Sequence, residues 1–304
     1  MAEHHHHDHG ELSGTRMVVT MLLNFAITLV EIVGGLMAGS LSLISDALHN
    51  FSDGIAIIVS YAALRLSRKP GDNQYTFGLK RAQVLAAILN AGVLLAISAY
   101  LVREAALKLL HPANVNGGLM LVVAAIGLVA NLIGTWLLHR GAKSNLNIRS
   151  AYLHLLSDAV SSVTVIVGAI AIQLFGAFWV DPVLSLLIAV YVGWESWKII
   201  QSAIDVLMLK VPGTISLDEL QMTLEALSGV CNVHHIHLWR VDDNDLHFEA
   251  HVDTALETVQ ETGPLAEAIE NLLYERFAIN HVTLQFETGA CVTGKFRKLL
   301  HGHG

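Results

Sequence analysis

The sequence predicts an α-helical membrane protein of six transmembrane helices followed by a small α+β domain. Three observations predict it. Apolar types make up 53% of the 304 residues and charged types only 14%, whereas a soluble chain carries about 25% charged residues. The mean hydropathy is positive. Hydropathy also divides the chain near residue 210, with long apolar stretches before it and amphipathic patterns after it. The net charge of −8 excludes a strongly basic nucleic-acid binder, so no nucleic-acid partner is expected.

The chain opens on His4-His5-His6-His7-Asp8-His9, a weak metal-binding tract by composition. Residues 1–15 are read as a native flexible tail, an expression tag being the competing idea. The polar start has no A-x-A-like cleavage site, so no secretory signal is expected. Six apolar stretches follow, at 17–37, 41–65, 80–110, 116–139, 150–175 and 182–208. Each approaches or exceeds the roughly 20 residues that a spanning helix needs. The third is long enough to emerge from the bilayer. These stretches define a membrane domain over 16–210.

Beyond it, Ser216 to Ser228 reads as an amphipathic helix, and Asn232 to Val241 and Leu246 to Val252 alternate like strands. Thr258 to Phe277 is a second amphipathic helix and His281 to Glu287 a last strand. This order suggests a three-stranded sheet with both helices on one face over 211–290, then a tail over 291–304. Lys and Arg lie in two connections, at Arg65, Arg68, Lys69, Lys80 and Arg81 and at Arg140, Lys143 and Arg149; the loops near Gly39, Asn114 and Phe178 carry none. The positive-inside rule then puts both termini and the soluble domain in the cytoplasm. In that reducing compartment the two cysteines, Cys231 and Cys291, are expected to remain thiols, with no disulfide framework.

The most informative feature is an internal echo. Leu48-His49-Asn50-Phe51-Ser52-Asp53 and Leu153-His154-Leu155-Leu156-Ser157-Asp158 both read L-H-x-x-S-D, 105 residues apart. His and Asp at i and i+4 share one helix face. Two such helices facing each other supply two nitrogens and two oxygens, a tetrahedral set for a zinc-sized ion. A charged Asp at the bilayer centre costs roughly 2.5–3.5 kcal/mol, so two cost about 5–7. One divalent cation offsets both carboxylates, and so do protons on both histidines. Imidazole titrates near pH 6.5 and must lose its proton to bind metal. A site alternating between these states would exchange metal for protons. The competing idea is polar glue between helices. Asp46, three residues before His49, reads as a support for a ligand or as a helix-start residue.

These residues resemble the cation diffusion facilitator family, in its zinc-transporting branch. The likeness runs from Gly39 through Ser40-Leu41-Ser42-Leu43-Ile44-Ser45-Asp46-Ala47 to Asp53, then Tyr75-Thr76-Phe77-Gly78, the His154/Asp158 pair, and Thr283-Leu284-Gln285-Phe286-Glu287. The resemblance implies a six-span homodimer in the lipid bilayer, with a ferredoxin-like cytoplasmic domain, that exports divalent metal in exchange for protons by alternating access. It implies a transport site of His49, Asp53, His154 and Asp158, zinc as substrate with cadmium carried as well and cobalt admitted, and a bacterial inner (plasma) membrane. It also matches His234, His251, His281 and Glu287 to a cytoplasmic zinc site near the dimer interface, although the His281–Glu287 spacing is about one residue off the pattern. Gln285 replaces a His found in some members. Asp72 lacks the histidines that would make a loop site, so none is expected there.

Period-2 alternation puts His235 and His237 on one sheet face and His234 on the other; surface histidines without metal are the alternative for this cluster. His237 and His247 read as structural. Within the spans, Glu31 lines the ion path or pairs across the bundle, and Asn24, Asn90, Asn131 and Gln173 are candidates for interhelical hydrogen bonds. Asp181-Pro182 reads as a helix start at the outer surface, and Arg81 with Asp205 as a charge pair at the inner ends of two spans. An intramembrane metalloenzyme is disfavoured, because H-E-x-x-H is absent and four ligands leave no open position for water. A membrane zinc sensor that moves nothing is the remaining alternative.

Overall fold

The computed structural model describes residues 9–111, 113–139, 146–242 and 245–288. The His4–His7 tract, the 140–145 connection with Arg140 and Lys143, Cys291 and the 291–304 tail lie outside these residues. Six long helices come first: α1 (His9–Ala38), α2 (Leu41–Ser67), α3 (Ala82–Leu110), α4 (Gly117–His139), α5 (Leu146–Phe175) and α6 (Val180–Leu207). Among the described residues, five are apolar and long enough to cross a membrane, and α1 adds a shorter apolar stretch over Leu22–Ala38. By contact the chain separates into two compact units, Met1–Ala62 with Ala86–Ile200, and Ala63–Leu85 with Gln201–Gly304. The α2–α3 connection therefore belongs with the second unit.

In the first unit, apolar side chains of α1, α4 and α5 and the start of α2 form one cluster, including Leu43, Met120, Val123 and Val165. Leu41 of α2, Leu101 and Ala105 of α3 and Ala189 of α6 form another. The α1–α2 corner is tight because Gly39 takes φ 68°. Gly39 N–H donates to Leu36 O and Ser40 N–H to Gly35 O, the paired bonds of a Schellman stop.

α2 then starts at once, and its first-turn donors are all met. Asp181 of α6 accepts from Leu41 N (2.7 Å), Ser42 N (3.1 Å), Ser40 Oγ (2.6 Å) and Ser42 Oγ (2.7 Å). Leu43 N–H donates to Ser40 Oγ. Asp181 does start a helix, but it is fully buried: an anion placed on the positive end of a neighbouring helix. One turn on, the hydroxyls of Ser45 and Ser185 lie 2.6 Å apart.

The second unit holds α7 (Leu217–Glu225), β1 (Val230–Arg240), β2 (Leu246–Thr254), α8 (Val259–Phe277) and β3 (His281–Thr288). Ser216 caps α7 and Thr258 with Glu261 forms a capping box on α8. The sheet order is β1-β2-β3, with β1–β2 antiparallel and β2–β3 parallel across the α8 crossover. Leu220 and Leu224 of α7 and Leu265, Ile269 and Leu273 of α8 meet Val233, Ile236, Leu238, Phe248, Ala250 and Val252 in one core. Both helices thus cover one face of the sheet, as expected.

Three expectations fail here. β1 carries bulges between Val230 and Asn232 and between His234 and His237, with His235 at φ 53°. Core-facing residues therefore run Val230, Val233, Ile236, Leu238 rather than strictly alternating. His234, His235 and His237 all end up on the face away from the helices. Cys231, expected as a thiol, is disulfide-bonded. The Arg81–Asp205 pair is also replaced: Asp205 accepts instead from Lys210 Nζ at 2.6 Å.

Candidate metal centres

The i, i+4 spacing of each L-H-x-x-S-D motif delivers one imidazole and one carboxylate from α2 and the same from α5. His49 Nε2 lies 3.5 Å from Asp53 Oδ2. His154 Nε2 lies 3.4 Å from that same oxygen and 3.6 Å from Asp158 Oδ2. Donors around a tetrahedral zinc with bonds of about 2.0–2.1 Å sit about 3.3 Å apart. The three contacts are within about 0.3 Å of that edge. They link the four residues as a chain, His49–Asp53–His154–Asp158. The site has a floor and a mouth: Asp158 is 4% exposed, whereas the His154 side chain is 37% exposed.

Asp46 is buried, but its bond is not to a histidine. It accepts from Ser161 Oγ of α5 at 2.6 Å, and so ties the two ligand-bearing helices together beside the site. Glu31 of α1 is 1% exposed. Its Oε2 accepts from Asn50 Nδ2 at 3.4 Å. Asn90 donates to the Ala56 carbonyl at 3.4 Å, joining α3 to α2, while both amide atoms of Asn131 are buried with no hydrogen-bond partner among the described residues.

The three-stranded sheet of the second unit carries a tighter group. Donor atoms of His234, His251 and Glu287 all lie within 4.8 Å of one another, the one such group of three or more among the described residues. The register explains it, since His234 pairs opposite His251 and β3 runs beside β2 to bring Glu287 next to Asp253. His251 Nδ1 is 2.7 Å from Glu287 Oε1, and His234 Nε2 is 3.7 Å from Glu287 Oε2. Two imidazoles and a carboxylate so placed fit a zinc ion.

His281 is not among them. It pairs with His247, their rings 4.3 Å apart. Six residues of strand separate it from Glu287, roughly 20 Å. Two residues that sequence reasoning passed over stand behind the group: Asp253 Oδ2 is 3.4 Å from His234 Nδ1 and accepts from Asn232 Nδ2 at 3.0 Å. Alternation held the signal, because Asp253 lies two residues beyond His251. His235 joins from the bulge, its ring 4.8 Å from both His237 and His251.

At the other end of the sheet, Lys80 of the α2–α3 connection pairs with Asp245, and Phe77 packs edge-on against His247 at 5.5 Å. Burial alone would raise the Asp245 pKa, but the hydrogen bond and charge of Lys80, with Asn280, hold it below the ordinary range. Burial, then the neighbouring His281, pushes the His247 pKa down. Asp72 accepts from Gln74 N and Tyr75 N at 2.8 and 2.7 Å, so its carboxylate closes its own loop.

Comparison with known proteins gives the same division. Residues 17–208 match the cation efflux transmembrane domain, and residues 212–289 match the cation efflux protein cytoplasmic domain. The metal cation efflux system protein CzcD of Cupriavidus metallidurans is 36% identical over 293 residues, covering 96% of this chain and 92% of its own. A cadmium, cobalt and zinc/H(+)-K(+) antiporter of Bacillus subtilis is 36% identical over 289 residues, with 93% and 92% covered. The zinc transporter ZitB of Escherichia coli is 34% identical over 297 residues, with 96% and 94% covered. Matched along nearly its whole length in both domains, the chain belongs to the cation efflux family: it is an integral-membrane metal-cation transporter, not an enzyme.

Proposed function

We propose that the protein exports Zn²⁺, with Cd²⁺ as a second substrate, in exchange for protons by alternating access. His49, Asp53, His154 and Asp158 are the transport site. The observation that carries this reading is the run of three contacts of 3.4–3.6 Å, His49–Asp53, Asp53–His154 and His154–Asp158, of which Asp53–His154 crosses between the two helices; it suits a cation held between α2 and α5. Zinc from the cytoplasm exchanges its water for these four side chains and cancels both carboxylates. Protons from the far side then protonate the histidines, which releases the metal. The names of the relatives, which include zinc, cadmium, cobalt and proton antiport, support this substrate and this coupling.

The protein works as a homodimer in the bacterial inner membrane, with the 1–15 and 291–304 tails and the 211–290 domain in the cytoplasm. His234, His251 and Glu287 hold zinc in that domain, and Asp253 orients His234 from behind. His281 stands apart from the metal. The His4–His9 tract binds metal weakly and is dispensable.

Zinc flux into proteoliposomes with an acidic interior tests the reading, comparing the native chain with Asp158→Ala. Uptake driven by the pH gradient and lost in the variant is the expected result. Absence of flux in the native chain, with zinc still bound by the cytoplasmic domain, would make the protein a sensor.

A further inference from the structure

We propose that the Asp46–Ser161 hydrogen bond is a spacer between α2 and α5: it sets the gap at the transport site and so favours zinc over a larger divalent ion such as cadmium. The inference rests on the transport reading above.

At two levels near the quartet, polar contacts cross between the ligand-bearing helices. Ser161 Oγ of α5 donates to Asp46 Oδ1 of α2 at 2.6 Å, and His154 Nε2 of α5 lies 3.4 Å from Asp53 Oδ2 of α2. Seven residues separate the two contacts on each helix, which is about 10.5 Å and close to two turns. Residue 46 meets 161 and residue 53 meets 154, so the helices pass antiparallel here and both contacts lie on the facing sides. His49 is three residues from Asp46, and Asp158 three from Ser161. The other two ligands therefore stand between the crossings, about one turn from the spacer.

The two crossings differ in kind. The Asp46–Ser161 contact is a direct hydrogen bond, shorter than the usual hydroxyl bond of about 2.7–2.8 Å. Asp46 is 3% exposed, so water hardly competes for it. Neither partner is a metal ligand, and the length of this bond is the same with or without a metal. The Asp53–His154 contact is the edge between two metal donors, and its length follows the ion. At 3.4 Å it is the edge nearest to the roughly 3.3 Å that zinc requires. An ion whose bonds are about 0.2 Å longer needs edges about 0.3 Å longer. The edges His49–Asp53 and His154–Asp158 each lie within one helix and adjust by side-chain rotation. The cross-helix edge widens when α2 and α5 part, and the spacer opposes that parting. Zinc requires none.

Zinc and cadmium affinities of the full chain, read by competition against chelators of known affinity, test this in a background carrying His251→Ala and Glu287→Gln to silence the zinc group proposed for the sheet. Ser161→Ala removes the spacer and leaves the four ligands. It is expected to bind zinc roughly 10- to 100-fold more weakly and cadmium nearly as the parent does, which also shows the variant to be folded. Asp46→Ala is expected to shift the zinc-to-cadmium ratio by the same factor, and the double variant by no more than either, because all three lack one and the same bond. An unchanged ratio in Ser161→Ala would overturn the proposal. So would an equal loss of both metals, which is what general loosening or a lost charge produces, and so would additive shifts in the double variant. A parent that binds neither metal in this background would overturn the quartet as a metal site and the transport reading with it, whereas a parent that binds both beside an unchanged ratio overturns the spacer alone.

Discussion

Asp253→Asn isolates the support behind the zinc group proposed for the cytoplasmic domain. Asp253 and His234 are both almost fully buried, and their contact is 3.4 Å. Losing such a carboxylate partner typically lowers metal affinity 10- to 100-fold, about 1.4–2.7 kcal/mol. Asn232 pushes the expectation toward the larger figure. Its Nδ2 donates to the same Oδ2, so an amide nitrogen at that position would set donor against donor, and the alternative flip still leaves His234 Nδ1 with a neutral acceptor instead of an anion. We expect roughly 100-fold weaker zinc binding, read by competition against a chelator of known affinity on the full chain carrying Asp158→Ala. Glu287→Gln, which replaces a charged donor with a neutral amide oxygen, should lose at least as much. An unchanged affinity in Asp253→Asn beside a clear loss in Glu287→Gln would refute the supporting role. No loss in either would mean that this group holds no zinc.

Other outcomes follow from the same geometry. His281→Ala should leave cytoplasmic zinc affinity within about twofold, because the residue lies some 20 Å along its strand from Glu287; a loss near that of Glu287→Gln would contradict the register. His247 has a lowered pKa from burial and its His281 neighbour, so the unfolded chain takes up a proton that the folded one resists. Its contribution to stability is whole above about pH 6.5 and lost as pH falls through the lower folded value. His247→Gln should flatten that acid loss in urea unfolding series from pH 5 to 8, and an unaltered slope would count against it. Ile269→Ala in the cytoplasmic core, where the side chain is fully buried, should cost about 2–5 kcal/mol, and a shift in unfolding midpoint worth under 1 kcal/mol would mean the α8–sheet packing is not as described.

Much of the architecture was legible because membrane depth is a blunt constraint. A stretch of about 20 apolar residues admits few readings, and helix geometry alone puts His49 with Asp53 and His154 with Asp158. The cytoplasmic sheet was less legible. Alternation fixes faces only while the strand stays regular, and the bulge at His235 demands a positive φ from a residue that rarely adopts it. Nothing in the run His234-His235-Ile236-His237 announces that. His281 was assigned by a resemblance whose spacing was already one residue off; the parallel pairing with β2 decides where it stands. The work of Asp181 was out of reach for another reason. Its partners are about 140 residues away, and a helix-start aspartate looks the same whether it caps its own helix or a neighbour's.

That aspartate gives α2 a fulcrum. The first turn of α2 is pinned to α6 by four bonds, so any tilting of α2 pivots there. At 1.5 Å of rise per residue, His49 stands about 12 Å down the lever and the far end near Arg65 about 36 Å. A swing of about 10° would then move the histidine by only about 2 Å but the far tip by about 6 Å. A small displacement at His49 and a wide one at the far end of the helix are thus the same motion, measured at two distances from one pivot.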